Sequence, residues 1–450
     1  MNATRNLMMA CAVILALCGG ADAMAQTTAA IPMFDTGAPT TGVQVAKPWV
    51  TRAQTMRLNP ALKTAPSATP AQGLASQSRI GFTPFPNNAI TLRRTAVVQR
   101  GPASFVWKGV VDGQPMTRAL FVVTQGRVAG NIETSSKSFA VRTRPDGSLV
   151  VIEVDVPKLP NEGQPLSRVR TSTHRKLTPD ICPKVLLTPA EPVHIDVLVA
   201  YTAQAETEAS GYSNIDDEIA LAIEDTNAAY EASDINQRIY LAGTKKYDYA
   251  ETTYEADVDR FAGSSDGYMD DIHALRDAKA ADAVVLMVSN TWYCGLADGI
   301  MDAPSEAFES DAFAAVAVSC ATWNHSFAHE LGHLMGARHD TYMDPSGTAY
   351  AHGFVDPANH FRTVMAYNNA CAAAQAYCVR WGVFSGPNVT VDGHAAGSAT
   401  SQDNVRRLTD SALVVSRFRL SDADKAAANR YSCNPPSPFL PVPRTPRPAK

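Results

Sequence analysis

The sequence has few charged side chains and few long apolar stretches. Charged residues make up 18% and hydrophobic residues 45% of its 450 positions. This globular composition excludes a wholly disordered, collagen-like or coiled-coil chain. Beyond the extreme N-terminus, no apolar run reaches the roughly 20 residues that a membrane-spanning helix requires, which excludes a polytopic membrane protein.

Basic residues are scarce in the C-terminal half of the chain. Residues 26–190 hold 20 Lys and Arg against 8 Asp and Glu, or +12, whereas residues 191–420 hold 13 against 33, or −20. A domain at −20 repels phosphate, which argues against a nucleic-acid partner. The opposite signs predict two parts that attract each other, with an acidic surface that only serves solubility as the alternative.

The first 25 residues predict an export signal. Arg5 supplies the positive charge, 7–17 form an apolar stretch too short for a membrane span, and 23–25 fit a small-x-small cleavage site. The mature chain is then expected to begin near Gln26, and the protein to be secreted to the periplasm or the medium. A lipoprotein signal at Cys18 is the weaker alternative.

Six cysteines remain after removal of the signal, and an even number in an exported chain favours disulfides. Short separations favour the pairs Cys294–Cys320 and Cys371–Cys378. Cys182 and Cys433 are then left over.

Composition changes divide the rest of the chain. Residues 26–78 are rich in Ala, Thr, Pro and Ser and predict a disordered leader. Residues 79–156 contain β-branched runs separated by turn signals and predict a β-rich domain. Residues 157–190 are proline-rich and predict a protease-sensitive linker. Residues 421–450 predict a disordered, Pro-rich tail.

Strand and helix patterns alternate from residue 191 to residue 420. Strands are expected at 193–200 and 283–288, and the apolar residues of 215–230 recur with helical spacing. This order predicts an α/β domain.

One segment of this domain carries metal-ligand spacing. His329 and His333 stand four residues apart, so a helix places both imidazoles on one face. Gly336 allows the chain to turn back, and His339 then supplies a third ligand. Three protein ligands with an open fourth position are typical of catalytic Zn²⁺, and Glu330 lies where a general base can reach a metal-bound water. Histidines on a helix surface are the structural alternative.

This string resembles the extended signature of the metzincin metalloproteases, H-E-x-x-H-x-x-G-x-x-H. Asp340, directly after the third histidine, resembles the reprolysin branch. The resemblance implies a metzincin-type catalytic domain, a mixed twisted sheet with an active-site helix, and one Zn²⁺ per domain. It also implies that Met365 is the methionine of the Met-turn, beneath the histidines, and that Tyr367 is a candidate donor to the oxyanion.

Weaker strings resemble the bacterial peptidyl-Asp metalloendopeptidase group, among them Cys294-Gly295-Leu296-Ala297, which is similar to the substrate-binding edge strand. The group implies cleavage on the N-terminal side of Asp, and a cation is then needed in the S1′ pocket. Arg380 is the favoured candidate, with a structural salt bridge as its alternative. Arg338 and Arg362 are further candidates, each with a structural pairing to Asp340 or another acid as its alternative.

The resemblance further implies that residues 26–190 are a propeptide that inhibits its own catalytic domain. Cys182 is the candidate thiolate switch on zinc, and a disulfide with Cys433 is the alternative. The expected function is a secreted zinc endopeptidase that acts on polypeptides through Glu330. The alternatives are a non-catalytic, metal-stabilised binding or adhesion module and a toxin with one target protein.

Overall fold

A computed structural model describes residues 29–36, 41–43, 45–63, 73–166 and 192–420. The predicted signal, the predicted C-terminal tail, Cys182 and Cys433 lie outside these described residues. Among the described residues, no helix combines the length and the apolar content that crossing a membrane requires.

The N-terminal part is a ten-stranded sheet with the order β1-β4-β5-β6-β7-β8-β9-β10-β3-β2. Neighbouring strands are antiparallel apart from the short parallel pair β1–β4. The strands are β1 (Ile31–Pro32), β2 (Thr41–Gly42), β3 (Val50–Met56), β4 (Arg79–Phe82), β5 (Ile90–Gly101), β6 (Ser104–Val111), β7 (Gln114–Thr124), β8 (Arg127–Glu133), β9 (Ser138–Thr143) and β10 (Leu149–Val154).

The prediction of a disordered leader over 26–78 is wrong for its described residues. Strand β3 pairs with β10 along its length, and Met33, Leu62 and Leu74 are buried in the core of the sheet. The composition of this segment misled the prediction, because alanine, threonine and proline do not produce the hydrophobic periodicity by which a strand or a helix is predicted. Pairing with a strand nearly a hundred residues away orders the segment instead.

The two faces of this sheet have different partners. In β7, Ala119, Phe121 and Val123 point into the sheet's own core. The alternate residues Leu120 and Val122 pack against Leu221 of the next domain. Successive side chains of a strand lie on opposite faces, so one strand contributes both to the core and to the domain contact.

The domain formed by residues 192–420 has a five-stranded mixed sheet with the order β12-β11-β13-β15-β14. All neighbours are parallel except β14, which runs antiparallel to β15 at the edge. The bounds are β11 (Val193–Thr202), α1 (Ala203–Ser210), α2 (Ile215–Ala232), β12 (Gln237–Tyr247), α3 (Tyr254–Ala262), α4 (Asp271–Lys279), β13 (Ala283–Val288), β14 (Gly295–Ala297), β15 (Phe313–Ala317) and α5 (Ser326–Leu334).

Five two-residue strands and two helices follow α5: β16 (Val355–Asp356), β17 (Phe361–Arg362), α6 (Asn369–Ala373), β18 (Val379–Arg380), β19 (Thr390–Val391), β20 (His394–Ala395) and α7 (Asn404–Val415). Residues of α2, α5 and α7 share one apolar core on one face of the sheet. Residues of α3 and α4 share another core with the opposite face. The predicted mixed sheet with a helix carrying the histidine motif is present.

Helix α2 carries acidic side chains that face the N-terminal sheet. Among the described residues, five ion pairs connect α2 to the N-terminal sheet: Arg127–Asp217, Arg142–Glu218, Arg100–Glu224, Arg118–Asp225 and Lys108–Glu231. The acids recur at intervals of seven residues, two helical turns, so they share one side of α2. The basic and acidic parts of the chain therefore contact each other through paired charges, as the charge asymmetry predicts. We call this side of α2 the acidic face.

Candidate active site

Helix α5 begins at Ser326, ends at Leu334 and presents both motif histidines from its interior side. After it, Gly336 adopts a φ of 91°, and a Cβ there would lie 2.2 Å from the Nε of Arg407. Only glycine combines this positive φ with so close a neighbour. The chain therefore turns sharply and brings His339 back beside the helix.

The three histidines converge on one point. The Nε2 atom of His333 lies 3.1 Å from that of His329 and 2.9 Å from that of His339, and the Nε2 atoms of His329 and His339 are 3.1 Å apart. All three side chains are buried. This cluster of nitrogens suits a small ion whose bonds to imidazole are about 2.0–2.1 Å long.

Backbone carbonyls fix the orientation of two of these rings. The Nδ1 of His329 donates to the carbonyl of Val364 at 2.9 Å, and the Nδ1 of His333 donates to that of Ala337 at 2.9 Å. With the proton on Nδ1, each Nε2 offers its lone pair to the common point.

Burial keeps these imidazoles neutral. It lowers the pKa of His333 to about 3. Burial, followed by the neighbouring His333, also lowers the pKa of His329 and of His339 well below the ordinary value. Neutral imidazole is the form that binds a metal ion, so the donor set fits Zn²⁺.

Glu330 points from α5 toward the edge strand β14, since a Cβ on Gly295 would lie 2.4 Å from its Oε1. We call the region between β14 and α5 the cleft. Its carboxylate is fully buried, and neither oxygen has a hydrogen-bond partner among the described residues. Burial and the nearby Glu162 raise the pKa of Glu330 well above its ordinary value. A buried carboxylate without such a partner is rare in a folded protein, and here it stands one residue from a histidine of the cluster.

Met365 lies against the helix that carries the histidines. A Cβ added to Gly332, in the middle of α5, would lie 2.6 Å from the Met365 sulfur. The methionine is fully buried in the core shared with α5. This contact fits an apolar support for the histidine helix, the position that the sequence predicts for Met365.

Asp340 connects the loop of His339 to the turn that contains Met365. Its Oδ2 accepts a hydrogen bond from the backbone N–H of Tyr367 at 2.8 Å. The Tyr367 ring centroid lies 4.3 Å from that of His339. The Tyr367 hydroxyl donates to the carbonyls of Glu162, at 2.7 Å, and Gly163, at 3.2 Å.

The three candidate arginines occupy different environments. Arg338 pairs with Asp302 and Asp344, away from Asp340. Arg362 donates to the carbonyls of Cys378 and Ala366.

Arg380, in contrast, forms a buried ion pair with Glu162. This partner comes from the segment predicted to be a linker. Residues 160–166 do not behave as an exposed linker, because they lie along the edge strand β14.

Glu162 was not among the residues singled out from the sequence. Its side chain is 0% exposed, and it contacts residues on both sides of the histidine motif in the chain. The sequence offers only one weak signal, because Glu162 is one of just two acids, with Asp180, in the proline-rich stretch 157–190 of a basic region.

Both predicted disulfides are present, Cys294–Cys320 and Cys371–Cys378. The first connects the start of β14 to the segment that leads into α5. It therefore joins two walls of the cleft.

Comparison with known proteins gives consistent results. Residues 192–377 match a family model described as metallo-peptidase family M12, reprolysin type. A peptidyl-Asp metalloendopeptidase of Xanthomonas campestris pv. campestris is 35% identical over 312 residues, which cover 68% of this chain and 70% of that protein. One from Stenotrophomonas maltophilia strain K279a is 35% identical over 329 residues, covering 71% and 75%.

Among solved structures, metalloproteinase-II from Bacteroides fragilis aligns at a TM-score of 0.38 with 13% identity, over 62% of this chain and 88% of that one. The sequence relatives carry the assignment. Three converging neutral imidazoles, a buried glutamate beside them and this degree of identity lead to one conclusion: the chain belongs to the reprolysin-like M12 metallopeptidases and is a metalloendopeptidase.

Proposed function

We propose that the protein is a secreted zinc endopeptidase that is synthesised as a zymogen. His329, His333 and His339 would hold one Zn²⁺, and the convergence of their Nε2 atoms is the observation that carries this proposal. The two disulfides of the catalytic domain support export, since such bonds persist in oxidising compartments.

Bound zinc supplies Lewis acidity, which polarises the scissile carbonyl and lowers the pKa of water. Glu330 acts as general base. Its carboxylate accepts a proton from the attacking water and returns it to the nitrogen of the leaving amine. Tyr367 donates a hydrogen bond to the developing oxyanion. Its support is that this hydroxyl already donates to two peptide carbonyls in the cleft.

Substitution of Glu330 tests this mechanism. Glu330→Gln keeps the shape of the side chain and removes the base, so proteolysis of an unfolded protein should fall at least roughly 10²-fold while one zinc per chain remains by metal analysis. The control is Glu306→Gln, which changes the same charge at an exposed turn and should leave both unchanged. Full activity in a zinc-replete Glu330→Gln chain would contradict the mechanism.

We further propose that the enzyme cleaves before Asp and that Arg380 binds the acidic side chain. The named relatives are peptidyl-Asp endopeptidases. Arg380 is a buried cation close enough to the histidines to lower the pKa of His329, after burial and His333. In the structure it already binds a carboxylate.

Cleavage-site profiling on one unfolded substrate tests this specificity. Wild-type cuts should cluster before Asp, and Arg380→Ala should disperse them. Arg406→Ala removes an equal charge from an exposed site and should keep the wild-type profile. An Arg380→Ala profile equal to that of the wild type would remove Arg380 from substrate recognition.

We also propose that residues 26–190 form the inhibitory propeptide. The support is twofold, because the N-terminal sheet contacts the acidic face through five ion pairs, and residues 160–166 lie along β14 in the cleft. Cys182 lies outside the described residues, and its assignment as a thiolate switch stays a prediction.

A further inference from the structure

Residues 160–166 follow the edge strand as an added strand would. The N–H of Cys294 donates to the carbonyl of Asn161 at 2.8 Å, the N–H of Gly163 to that of Gly295 at 2.8 Å, and the N–H of Leu166 to that of Ala297 at 3.0 Å. Residue numbers rise together along both segments, so they run parallel. Main-chain bonds of this kind hold an extended peptide on a sheet edge whatever its sequence.

Residues 160–166 lie close to β14, and on each side of the contact a glycine stands where a Cβ would meet a close neighbour. A Cβ on Gly163 would lie 2.7 Å from the Cδ1 of Leu296, and a Cβ on Gly295 would lie 2.4 Å from the Oε1 of Glu330. The segment thus passes over the edge strand at the point where that strand covers Glu330.

One side chain of this segment enters a polar pocket in the catalytic domain. The Oε1 of Glu162 accepts hydrogen bonds from the Nδ2 of Asn324 at 2.9 Å and from the Oγ of Ser326 at 2.9 Å. The same oxygen forms the ion pair with the Nη1 of Arg380. Glu162 and Arg380 are 0% and 1% exposed.

The three partners of Glu162 are independently positioned for a carboxylate. Arg380 also donates to the carbonyls of Asn324, at 2.9 Å, and Ala366, at 3.2 Å, which hold its guanidinium in place. Ser326 is the first residue of α5, where the helix dipole favours negative charge. Cation, amide, hydroxyl and helix end together form a site for an anionic side chain.

An unpaired charge is costly at such depth, so a carboxylate enters this pocket only because these groups compensate it. Asn324, Ser326 and Arg380 all bind Oε1, whereas Oε2 has no hydrogen-bond partner among the described residues. The same groups would compensate any acidic side chain presented from a peptide on β14. Burial raises the pKa of Glu162, and the Arg380 guanidinium opposes that rise.

We propose that Glu162 is an internal occupant of the pocket that binds the acidic side chain of the substrate, and that Asn324 and Ser326 read that side chain together with Arg380. The inference rests on the proposed specificity for acidic residues. It adds two specificity-determining residues and a direct means of latency, since substrate and Glu162 compete for one pocket.

The latency part is tested in the full-length chain with three variants that substitute Glu162. Glu162→Gln should shorten the lag before an unfolded substrate is cleaved at least roughly tenfold, the loss expected for a hydrogen bond to a charged group. The double substitution Glu162→Gln/Gln164→Glu retains the segment's charge and should show the same shortened lag as Glu162→Gln. Glu162→Asp, which keeps the carboxylate, should stay near the wild type. A wild-type lag in Glu162→Gln, or latency restored by the double substitution, would overturn the proposal.

Reading of the substrate is tested by cleavage-site profiles of Asn324→Ala and Ser326→Ala, started from the full-length chain. Each should lower the share of cuts before acidic residues several-fold while cuts elsewhere continue, an outcome that simple destabilisation does not give. Profiles equal to the wild type in both variants would remove them from recognition.

Amide exchange separates this proposal from the proposed function. The measurement uses a Glu330→Gln chain, so its result does not depend on proteolytic activity. In this chain, the added substitution Glu162→Gln should accelerate amide exchange at Gly163 and Leu166 at least roughly tenfold. If no chain ever cleaves peptide but this acceleration is present, the proposed function fails and the pocket contact stands. Unchanged exchange would refute the contact.

Discussion

Two of the regions in which the N-terminal part contacts the catalytic domain differ in character. On the acidic face, five ion pairs are spread along α2, and some are accessible to solvent, as Lys108 and Glu231 are at 12% and 38% exposure. In the cleft, one pair, Glu162–Arg380, is buried completely. Under the proposed latency, the two regions would divide the roles: the distributed charges would align the two parts, and the single buried charge would block substrate.

The largest effect on stability is expected at the one pair of the acidic face that is fully buried. Arg142 and Glu218 are 0% and 2% exposed. Arg142→Met leaves Glu218 buried without its cation and should lower the free energy of unfolding by about 3–5 kcal/mol. Denaturant unfolding measures this loss.

The matched control is Arg142→Met/Glu218→Met, which removes both charges and should recover most of the stability. If the single and double variants were equally destabilised, the cost would arise from packing, and the charge pairing of the two parts would lose its best support.

A smaller effect is expected from salt, and it should distinguish the two regions. Raising the ionic strength from about 0.1 M to about 1 M shortens the screening length from roughly 10 Å to roughly 3 Å. Amide exchange in the strands facing α2 should therefore accelerate. Exchange at Gly163 and Leu166 should change less, because the neighbouring Glu162–Arg380 pair is buried away from water and salt. If amide exchange accelerated equally at the acidic face and in the cleft, the two contact regions would not differ in their dependence on charge screening.

The smallest effect is expected at the exposed end of the acidic face. Lys108→Ala should cost no more than about 1 kcal/mol of unfolding free energy at low salt, and that cost should shrink at high salt, as for other accessible ion pairs. A loss as large as that of Arg142→Met would show that the accessible pairs are not weak, and the proposed division of roles would need revision.

The sequence predicted the residues whose spacing is local. The histidine helix needs only i, i+4 spacing, and strand Ala283–Val288 needs only a continuous apolar run, so both follow from short windows. The two disulfides were predicted from the short separations of their cysteines. The turn at Gly336 follows from a single residue type.

What the sequence did not reveal depends on distant contacts. Glu162 and Arg380 are 218 residues apart, and nothing near either residue encodes the other. Strand β3 was mistaken for a disordered leader because its partner, β10, lies far along the chain. One signal was available and unused: Asp217, Glu224 and Glu231 recur every seven residues, which places them on one side of α2.

Continuity of the chain gives the contact along β14 a further consequence. Leu166 and the first catalytic strand belong to one polypeptide, so residues 160–166 bind this pocket at an effective concentration set by the connecting chain, independent of dilution. A single cut between residues 166 and 192 changes the molecularity of this contact. After the cut, the N-terminal part can dissociate, and dilution then favours an open cleft. The Glu162–Arg380 pair would thus close the cleft within one chain before the cut and between two chains after it, where the five ion pairs of the acidic face would still oppose dissociation.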